Sequence, residues 1–264
     1  MSQIRSVFER ESNKGRGTLI CYLTAGYPDK NSFLRYFQAC VEGGADIMEV
    51  GIPFSDPVAD GPVIQSTSEK ALKGGVTPWS AMEMAADAKM LYGSPTILMG
   101  YYNPIFRMGE KRFVRLAREY DIDGIIVADL PYEESNTLRE ECEESGIDLI
   151  QMIAPTTNYS RMKAIASVSQ GMVYLVAALG TTGVRDHLSH DLGNLIKCAK
   201  SACKQIPVGV GFGVCDENQV RKIISYGADG VIIGSALLSK ISKGEGESVQ
   251  RFISCLKNSC IKSY

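Results

Sequence analysis

Short apolar stretches alternate with longer amphipathic stretches along nearly the whole chain. Several of the apolar stretches are continuous rather than alternating, which is typical of parallel strands covered by helices on both faces. Eight of them are predicted to be strands: residues 19–23, 47–50, 96–99, 124–128, 149–153, 172–176, 207–210 and 230–233.

The segments between these strands have helical spacing. The predicted helices are residues 31–43, 79–92, 110–120, 132–145, 160–168, 191–204, 217–226 and 246–257. Gly146 and Gly227 follow two of them as helix stops, and Asp216 is a predicted N-cap. Residues 4–8 form a further short amphipathic segment, which is suited to closing the bottom of a barrel.

This order of elements predicts an α/β fold, a closed (β/α)8 TIM barrel with an extra N-terminal helix. Eight βα units need about 250 residues, so a chain of 264 residues is expected to form a single domain over residues 1–264. An open doubly wound sheet is the alternative, but no Gly-x-Gly-x-x-Gly follows the first strand. In a barrel, the chemistry belongs at the C-terminal ends of the strands.

Composition narrows the classes of function. Lys and Arg total 28 against 30 Asp and Glu, so we expect no nucleic-acid partner. No apolar run is long enough to span a membrane. The eight cysteines form no Cys-x-x-Cys pair, there are only two histidines, and the N-terminus lacks a signal-peptide core. We therefore expect reduced structural thiols, no metal site and a cytoplasmic location.

Two carboxylates mark the end of the second predicted strand. Glu49 lies between apolar neighbours, where a carboxylate is costly unless it is paired, hydrogen-bonded or protonated. Asp60 follows in a loop with three prolines, which should be stiff enough to present side chains. An ion-paired structural Glu is one interpretation of Glu49. The combination with Asp60 favours general acid–base chemistry.

Glycine-rich turns follow the seventh and eighth predicted strands, at residues 209–213 and 234–236. Backbone amides after these two strands form the recurring phosphate site of such barrels. Residues 180–183, after the sixth strand, are a candidate lid. No Lys lies at a predicted strand end, and both His187 and His190 follow the sixth strand, which disfavours Schiff-base and metal-dependent aldolases. Five further strand-end residues are candidates for an apolar substrate slot or for barrel packing: Tyr22, Leu98, Tyr101, Ile153 and Tyr174.

Residues 48–65, MEVGIPFSDPVADGPVIQ, resemble the most distinctive stretch of the tryptophan synthase α-subunit family. Other motifs match in order: TAGYP (24–28), YYNP (101–104), ADLP (128–131), APTT (154–157), GFG (211–213) and GSA (234–236). The resemblance implies cleavage of indole-3-glycerol phosphate to indole and glyceraldehyde 3-phosphate.

Site roles follow from the matching positions. The resemblance implies that Glu49 is the general acid–base and that Asp60 faces the indole N–H. Tyr174 matches a tyrosine beside Glu49, and Thr182 matches a threonine that contacts the Asp when the lid closes. The implied phosphate site consists of Gly183, Gly211, Phe212, Gly213, Gly234 and Ser235. Tyr22 stands where family members often have Phe.

The resemblance also implies a β-subunit partner in an α2β2 assembly, with pyridoxal phosphate in the partner and no cofactor in this chain. The expected interface residues are Pro53, Asp56, Pro57, Asn103 and Pro104. Ala177 and Thr181 replace a Ser and a Val that the family commonly has. Two alternatives stay open: a free-standing indole-releasing lyase with the same residues, and a catalytically weak subunit that mainly activates the β enzyme, which only the altered loop supports.

Overall fold

Eight parallel strands close into a barrel in the order β1 to β8, as the sequence predicts. The structure is a computed structural model that describes residues 2–177, 188–211, 213–244 and 248–262. The strands are β1 (Thr18–Thr24), β2 (Ile47–Gly51), β3 (Thr96–Gly100), β4 (Gly124–Val127), β5 (Asp148–Ile153), β6 (Val173–Val176), β7 (Val208–Gly211) and β8 (Gly230–Ile233). Each predicted strand is present, with its ends within one residue of the prediction.

Helices cover the outside of the barrel. In the described part of the chain they are α1 (Gln3–Asn13), α2 (Lys30–Glu42), α3 (Pro62–Lys73), α4 (Pro78–Tyr92), α5 (Tyr102–Met108), α6 (Glu110–Glu119), α7 (Asn136–Ser145), α8 (Tyr159–Val168), α9 (Leu188–Cys203), α10 (Glu217–Ser225), α11 (Ser235–Ser242) and α12 (Val249–Asn258). The predicted N-cap is confirmed, because Asp216 accepts the backbone N–H of Gln219.

The predictions missed or merged some helices. Helices α3, α5 and α11 were not predicted as separate elements, although Pro62 at the first position of α3 is a recognised start signal. The predicted helix over residues 132–145 is divided into a short 3₁₀ turn, Tyr132–Glu134, and α7. Ser135 separates them, since its hydroxyl bonds the Tyr132 carbonyl rather than continuing the helix.

The N-terminal helix α1 closes the bottom of the barrel, which confirms the expectation from its amphipathic pattern. Ile4, Val7 and Phe8 belong to the same apolar cluster as the inward-facing strand residues. The barrel leaves room for them at two glycines. A Cβ at Gly124 would lie 2.6 Å from Ile4, and one at Gly230 would lie 2.9 Å from Phe8.

Side chains at the starts of the even-numbered strands bond the backbone of the preceding strand. Asp46, Asp123 and Asp229 each accept a backbone N–H, at 2.7, 2.7 and 2.8 Å, and the donors are Leu19, Thr96 and Val208 respectively. At the fourth pair, β5 and β6, the amide oxygen of Gln170 accepts the N–H of Leu149 at 3.0 Å. We call these four contacts the strand-entry bonds.

Each of the three carboxylates also has a lysine partner from a helix. Lys257 of α12 lies 2.6 Å from Asp46, Lys89 of α4 lies 2.8 Å from Asp123, and Lys200 of α9 pairs with Asp229. Helices α4 and α9, which carry Lys89 and Lys200, directly precede the odd-numbered strands β3 and β7 of their pairs. The last helix, α12, takes the equivalent place beside β1. The bottom of the barrel is therefore built from repeated units of two strands.

Candidate active site

Alternation along the strands determines which side chains reach the inside of the barrel. A layer of inward-facing apolar residues fills the interior: Ile20, Ile47, Ile97, Ile126, Ile150, Met172 and Ile232. Glu49 is two residues beyond Ile47 and so projects from the same face of β2, one level nearer the C-terminal end. Tyr22 and Tyr174 occupy the corresponding level on β1 and β6.

A cavity of about 720 Å³ opens above this layer, at the C-terminal ends of the strands. This is the end of the barrel where the sequence places the chemistry. Seven of the predicted site residues line it: Tyr22, Glu49, Asp60, Tyr174, Gly213, Gly234 and Ser235. The volume lies within the range of small-molecule sites, which is roughly 300–1,000 Å³.

Glu49 is a buried carboxyl group with no compensating cation among the described residues. The residue is 1% exposed, and its Oε2 has no hydrogen-bond partner among the described residues. Burial raises its pKa to about 8, with a further contribution from the negative charge of Asp60. At neutral pH Glu49 therefore carries a proton, which makes it a candidate proton donor.

Asp60 lies in the loop between β2 and α3, close to Glu49. Burial raises its pKa to about 6, and the hydroxyl of Tyr101 opposes that rise. The same hydroxyl accepts the backbone N–H of Ala59 at 3.1 Å, so Tyr101 holds the loop from the end of β3. Asp60 is thus mostly ionised at neutral pH while Glu49 is mostly protonated. Two carboxyl groups with separated pKa values suit acid–base chemistry.

Two tyrosines lie beside the carboxyl groups, and each packs over a glycine of a neighbouring strand. A Cβ at Gly51 would be 2.0 Å from the hydroxyl oxygen of Tyr22, and one at Gly211 would be 2.3 Å from that of Tyr174. Burial raises the pKa of both phenols, so both are neutral. The glycines allow the rings to lie flat against the barrel wall beneath the cavity.

The predicted phosphate-binding turns meet at one side of the cavity. Gly234 and Ser235 form the N-terminus of α11, which directs backbone N–H groups towards the cavity. Gly213 also lines the cavity and has φ 76°, a left-handed conformation that suits glycine. Gly211 is buried beneath Tyr174 and does not line the cavity among the described residues. Thr182, Gly183 and Phe212 lie outside the described residues.

Two predicted substrate contacts need correction. Leu98 and Ile153 are completely buried, in the cluster that packs the strands against the helices, and neither is among the described residues that line the cavity. Their neighbours Met99 and Met152 line it instead. The side chains of adjacent strand residues point to opposite faces, so an error of one residue places a side chain in the wrong layer. Tyr101 reaches the site through Asp60 and the loop rather than as part of the cavity wall.

The cavity also has wall residues that the sequence did not indicate. Its walls include Gln151, Tyr132 and Arg161, beneath the loops that follow β4 and β5. The guanidinium of Arg161 pairs with Glu133 and lies 5.0 Å from the centre of the Tyr132 ring. The APTT motif at residues 154–157 was the available signal, since this loop forms part of the same wall.

The predicted partner surface is mostly accessible. Asp56 and Asn103 are exposed, Pro57 and Pro104 are half-buried, and Pro53 is buried. Two large apolar side chains in the same segments were not predicted. Val58 is 82% exposed in the loop after β2, and Phe106 is 66% exposed on α5.

The described residues offer neither a metal site nor a membrane-spanning helix. No group of three or more His, Cys, Asp or Glu in that part of the chain is arranged to hold a metal ion. None of the helices described is both long and apolar enough to cross a membrane.

Comparison with known proteins gives one consistent family. The family model described as "Tryptophan synthase alpha chain" matches residues 8–261. A tryptophan synthase alpha chain from Methanopyrus kandleri is 39% identical over 92% of this chain and 87% of its own length. Tryptophan synthase from Saccharomyces cerevisiae is 39% identical over 90% of this chain and 34% of its own. A solved structure of Mycobacterium tuberculosis tryptophan synthase has a TM-score of 0.90, with 34% identity and 99% coverage of both chains.

Proposed function

The chain belongs to the tryptophan synthase alpha chain family, and from that premise we propose that Glu49 and Asp60 carry out the cleavage of indole-3-glycerol phosphate. Membership makes the chain a carbon–carbon lyase of tryptophan biosynthesis. The observation that carries the residue assignment is the pair of carboxyl groups at one end of the cavity, one protonated and one ionised at neutral pH.

The chemistry requires a proton donor at C3 of the indole ring. When Glu49 donates its proton there, the ring loses its aromatic enamine and the nitrogen becomes positive. The Asp60 carboxylate accepts the N–H and stabilises that charge. The ionised Glu49 then takes the proton of the hydroxyl on the attached carbon. The carbon–carbon bond breaks as that carbon becomes an aldehyde, and its electrons return to the ring, giving indole and glyceraldehyde 3-phosphate.

The phosphate group would bind at the opposite side of the cavity. The N-terminus of α11 and the turn at Gly213 offer backbone N–H groups, and Ser235 adds a hydroxyl. The isoleucine layer and the rings of Tyr22 and Tyr174 close the cavity below. The substrate would then lie across the cavity, with its ring against the carboxyl groups.

The alpha chain family works with a β subunit. For this chain we propose an α2β2 assembly in which pyridoxal phosphate belongs to the partner. The surface through which α would bind β consists of the exposed side chains Val58 and Phe106, together with Asp56, Asn103 and Pro104.

All eight cysteines are free thiols, which agrees with our proposal of a cytoplasmic protein.

An indole-release assay with the purified chain tests this proposal, both alone and with a β subunit. We expect cleavage by the chain alone and faster cleavage in the complex. Full turnover without any response to the β subunit would favour a free-standing lyase. No cleavage in either state would leave only a role in activating the partner.

The Asp60→Asn variant should lower kcat by about 10²–10³-fold with a smaller effect on KM, since the charge of the Asp60 carboxylate acts as the ring nitrogen becomes positive.

A further inference from the structure

Gln65 is the last residue of the stretch that carries the family resemblance, and the mechanism above gives it no task. It lies in the second turn of α3, is exposed, and is not among the described residues that line the cavity. Its side-chain amide nevertheless donates a hydrogen bond of 2.8 Å to the backbone carbonyl of Asp60. Gln65 is therefore placed to act on a carboxylate of the site without touching a substrate.

The loop between β2 and α3 has little burial with which to hold Asp60. Ala59, directly before it, is exposed, and the Asp60 N–H bonds the Pro57 carbonyl at 3.0 Å, within the loop itself. Gly61 follows as the N-cap of α3 and supplies no capping side chain. A Cβ at Gly61 would meet no atom within 4 Å, so packing does not restrain this position either. Hydrogen bonds from outside the loop must therefore fix the backbone here.

Two side chains supply such bonds, one on each side of the Asp60 side chain. Before it, the hydroxyl of Tyr101 accepts the Ala59 N–H at 3.1 Å, and the ring centres of Tyr101 and Phe54 are 5.3 Å apart. After it, the Gln65 amide holds the Asp60 carbonyl. Tyr101 follows β3 and Gln65 belongs to α3, so the two bonds tie the loop to different elements and neither replaces the other.

The direction of the Asp60 carboxylate matters because a hydrogen bond weakens steeply when its angle departs from linear. Stabilisation of a charge that develops in the transition state requires the acceptor to be in place beforehand. Without the bond from Gln65, the backbone could turn at Gly61, and the carboxylate would point in the productive direction for a smaller share of the time.

We propose that Gln65 is a positioning residue, which holds the Asp60 carbonyl and so keeps the Asp60 carboxylate directed into the cavity to accept the indole N–H. The inference rests on the function proposed above, which assigns that acceptor role to Asp60. It gives Gln65 no contact with the substrate, so the whole effect of Gln65 on the reaction passes through Asp60.

Replacing Gln65 with methionine keeps the length and the helix propensity of the side chain and removes the donor. We expect Gln65→Met to lower kcat for indole release by about 3–10-fold, the usual effect of one lost hydrogen bond. KM should change little, since the charge on the ring nitrogen develops only in the transition state. Gln38→Met is the matched control, because Gln38 of α2 donates a bond of the same length, 2.8 Å, to the exposed Glu42.

A double-mutant cycle distinguishes positioning from a general loss of structure. Asp60→Asn removes the charge and keeps the backbone carbonyl that Gln65 holds. If Gln65 acts through that charge, adding Gln65→Met to Asp60→Asn should lower kcat by less than about 2-fold. An equal loss from Gln65→Met in both backgrounds would assign Gln65 a structural role and overturn the proposal.

Amide hydrogen exchange of the ligand-free chain, followed by NMR, separates this inference from the proposed function. It reports how often the loop opens, without reference to catalysis. Exchange at Ala59 and Asp60 should be about 3–10-fold faster in Gln65→Met and unchanged in Gln38→Met. If exchange is faster while kcat stays natural, Gln65 holds Asp60 as inferred, and the acceptor role proposed for Asp60 is the part that fails. Unchanged exchange in Gln65→Met refutes the role of Gln65 and leaves the lyase assignment intact.

Discussion

Glu49 is protonated at neutral pH because it is buried from solvent beside the charge of Asp60, and no cation of the described residues compensates for that burial. Replacing it with glutamine keeps the size and removes the transferable proton. We expect Glu49→Gln to lower the rate of indole release by about 10²–10⁴-fold. The exposed Glu144 of α7 supplies the matched control, since Glu144→Gln leaves the site unchanged. Near-normal turnover of Glu49→Gln would refute the acid–base assignment.

The same burial has a cost for folding. The pKa of Glu49 is raised from 4.5 to about 8 in the folded chain, so the folded state loses stability as pH rises between these two values. Glutamine does not ionise. Urea unfolding at pH 7 should therefore show Glu49→Gln to be more stable than the natural chain, whereas at pH 4 the two should be similar.

Activity requires Asp60 ionised and Glu49 protonated at the same time. Asp60 has a pKa of about 6 and Glu49 of about 8. The kcat/KM profile should therefore be bell-shaped, falling below about pH 6 and above about pH 8. The Asp60→Asn variant should lose the acidic limb and keep the alkaline one. An acidic limb that survives in Asp60→Asn would assign it to another group.

At the level of the element, α1 shows how a short segment supports the barrel. Phe8 is 4% exposed and fills the bottom of the barrel beside Gly230. Phe8→Ala should lower the free energy of unfolding by about 3–5 kcal/mol. The exposed Glu9 on the same helix is the control, and its replacement by alanine should cost less than about 1 kcal/mol. Equal losses in urea titrations of the two variants would show that α1 does not act through this packing.

How far the sequence predicts the fold depends on the kind of signal. Strand positions were predictable because apolar β-branched runs are short and bounded. The face from which each side chain projects was not predictable. Strands β3 and β5 are nearly buried on both faces, so they lack the polar–apolar alternation that would separate Leu98 from Met99. Glu49 was predictable for the opposite reason: a carboxylate inside an apolar run is itself a signal. The hydrogen bond between Thr24 and Thr67 joins β1 to α3, and no local pattern indicates such a contact.

At the scale of the whole molecule, the candidate site and the proposed partner surface lie at the same end of the barrel. Phe106 is 66% exposed on α5. Phe106→Asp should weaken binding of the β subunit by at least about 10-fold, while the cleavage rate of the isolated chain stays near normal. Met90→Asp is the control, because Met90 is 79% exposed near the end of α4, which leads into the start of β3 at the opposite end of the barrel. Binding by calorimetry that is equally affected in both variants would place the interface elsewhere.

The strand-entry bonds have a consequence for chain connectivity. Each bond joins the two strands of one pair. Opening the chain between two pairs therefore leaves every bonded pair on one continuous segment. Opening it within a pair places the two bonded strands at opposite ends of the new chain. Lys257 of α12 completes the first pair at Asp46, so the C-terminal helix is held beside β1 by the same unit. Circular permutants opened between β4 and β5 should therefore keep the native strand pairing better than those opened between β3 and β4.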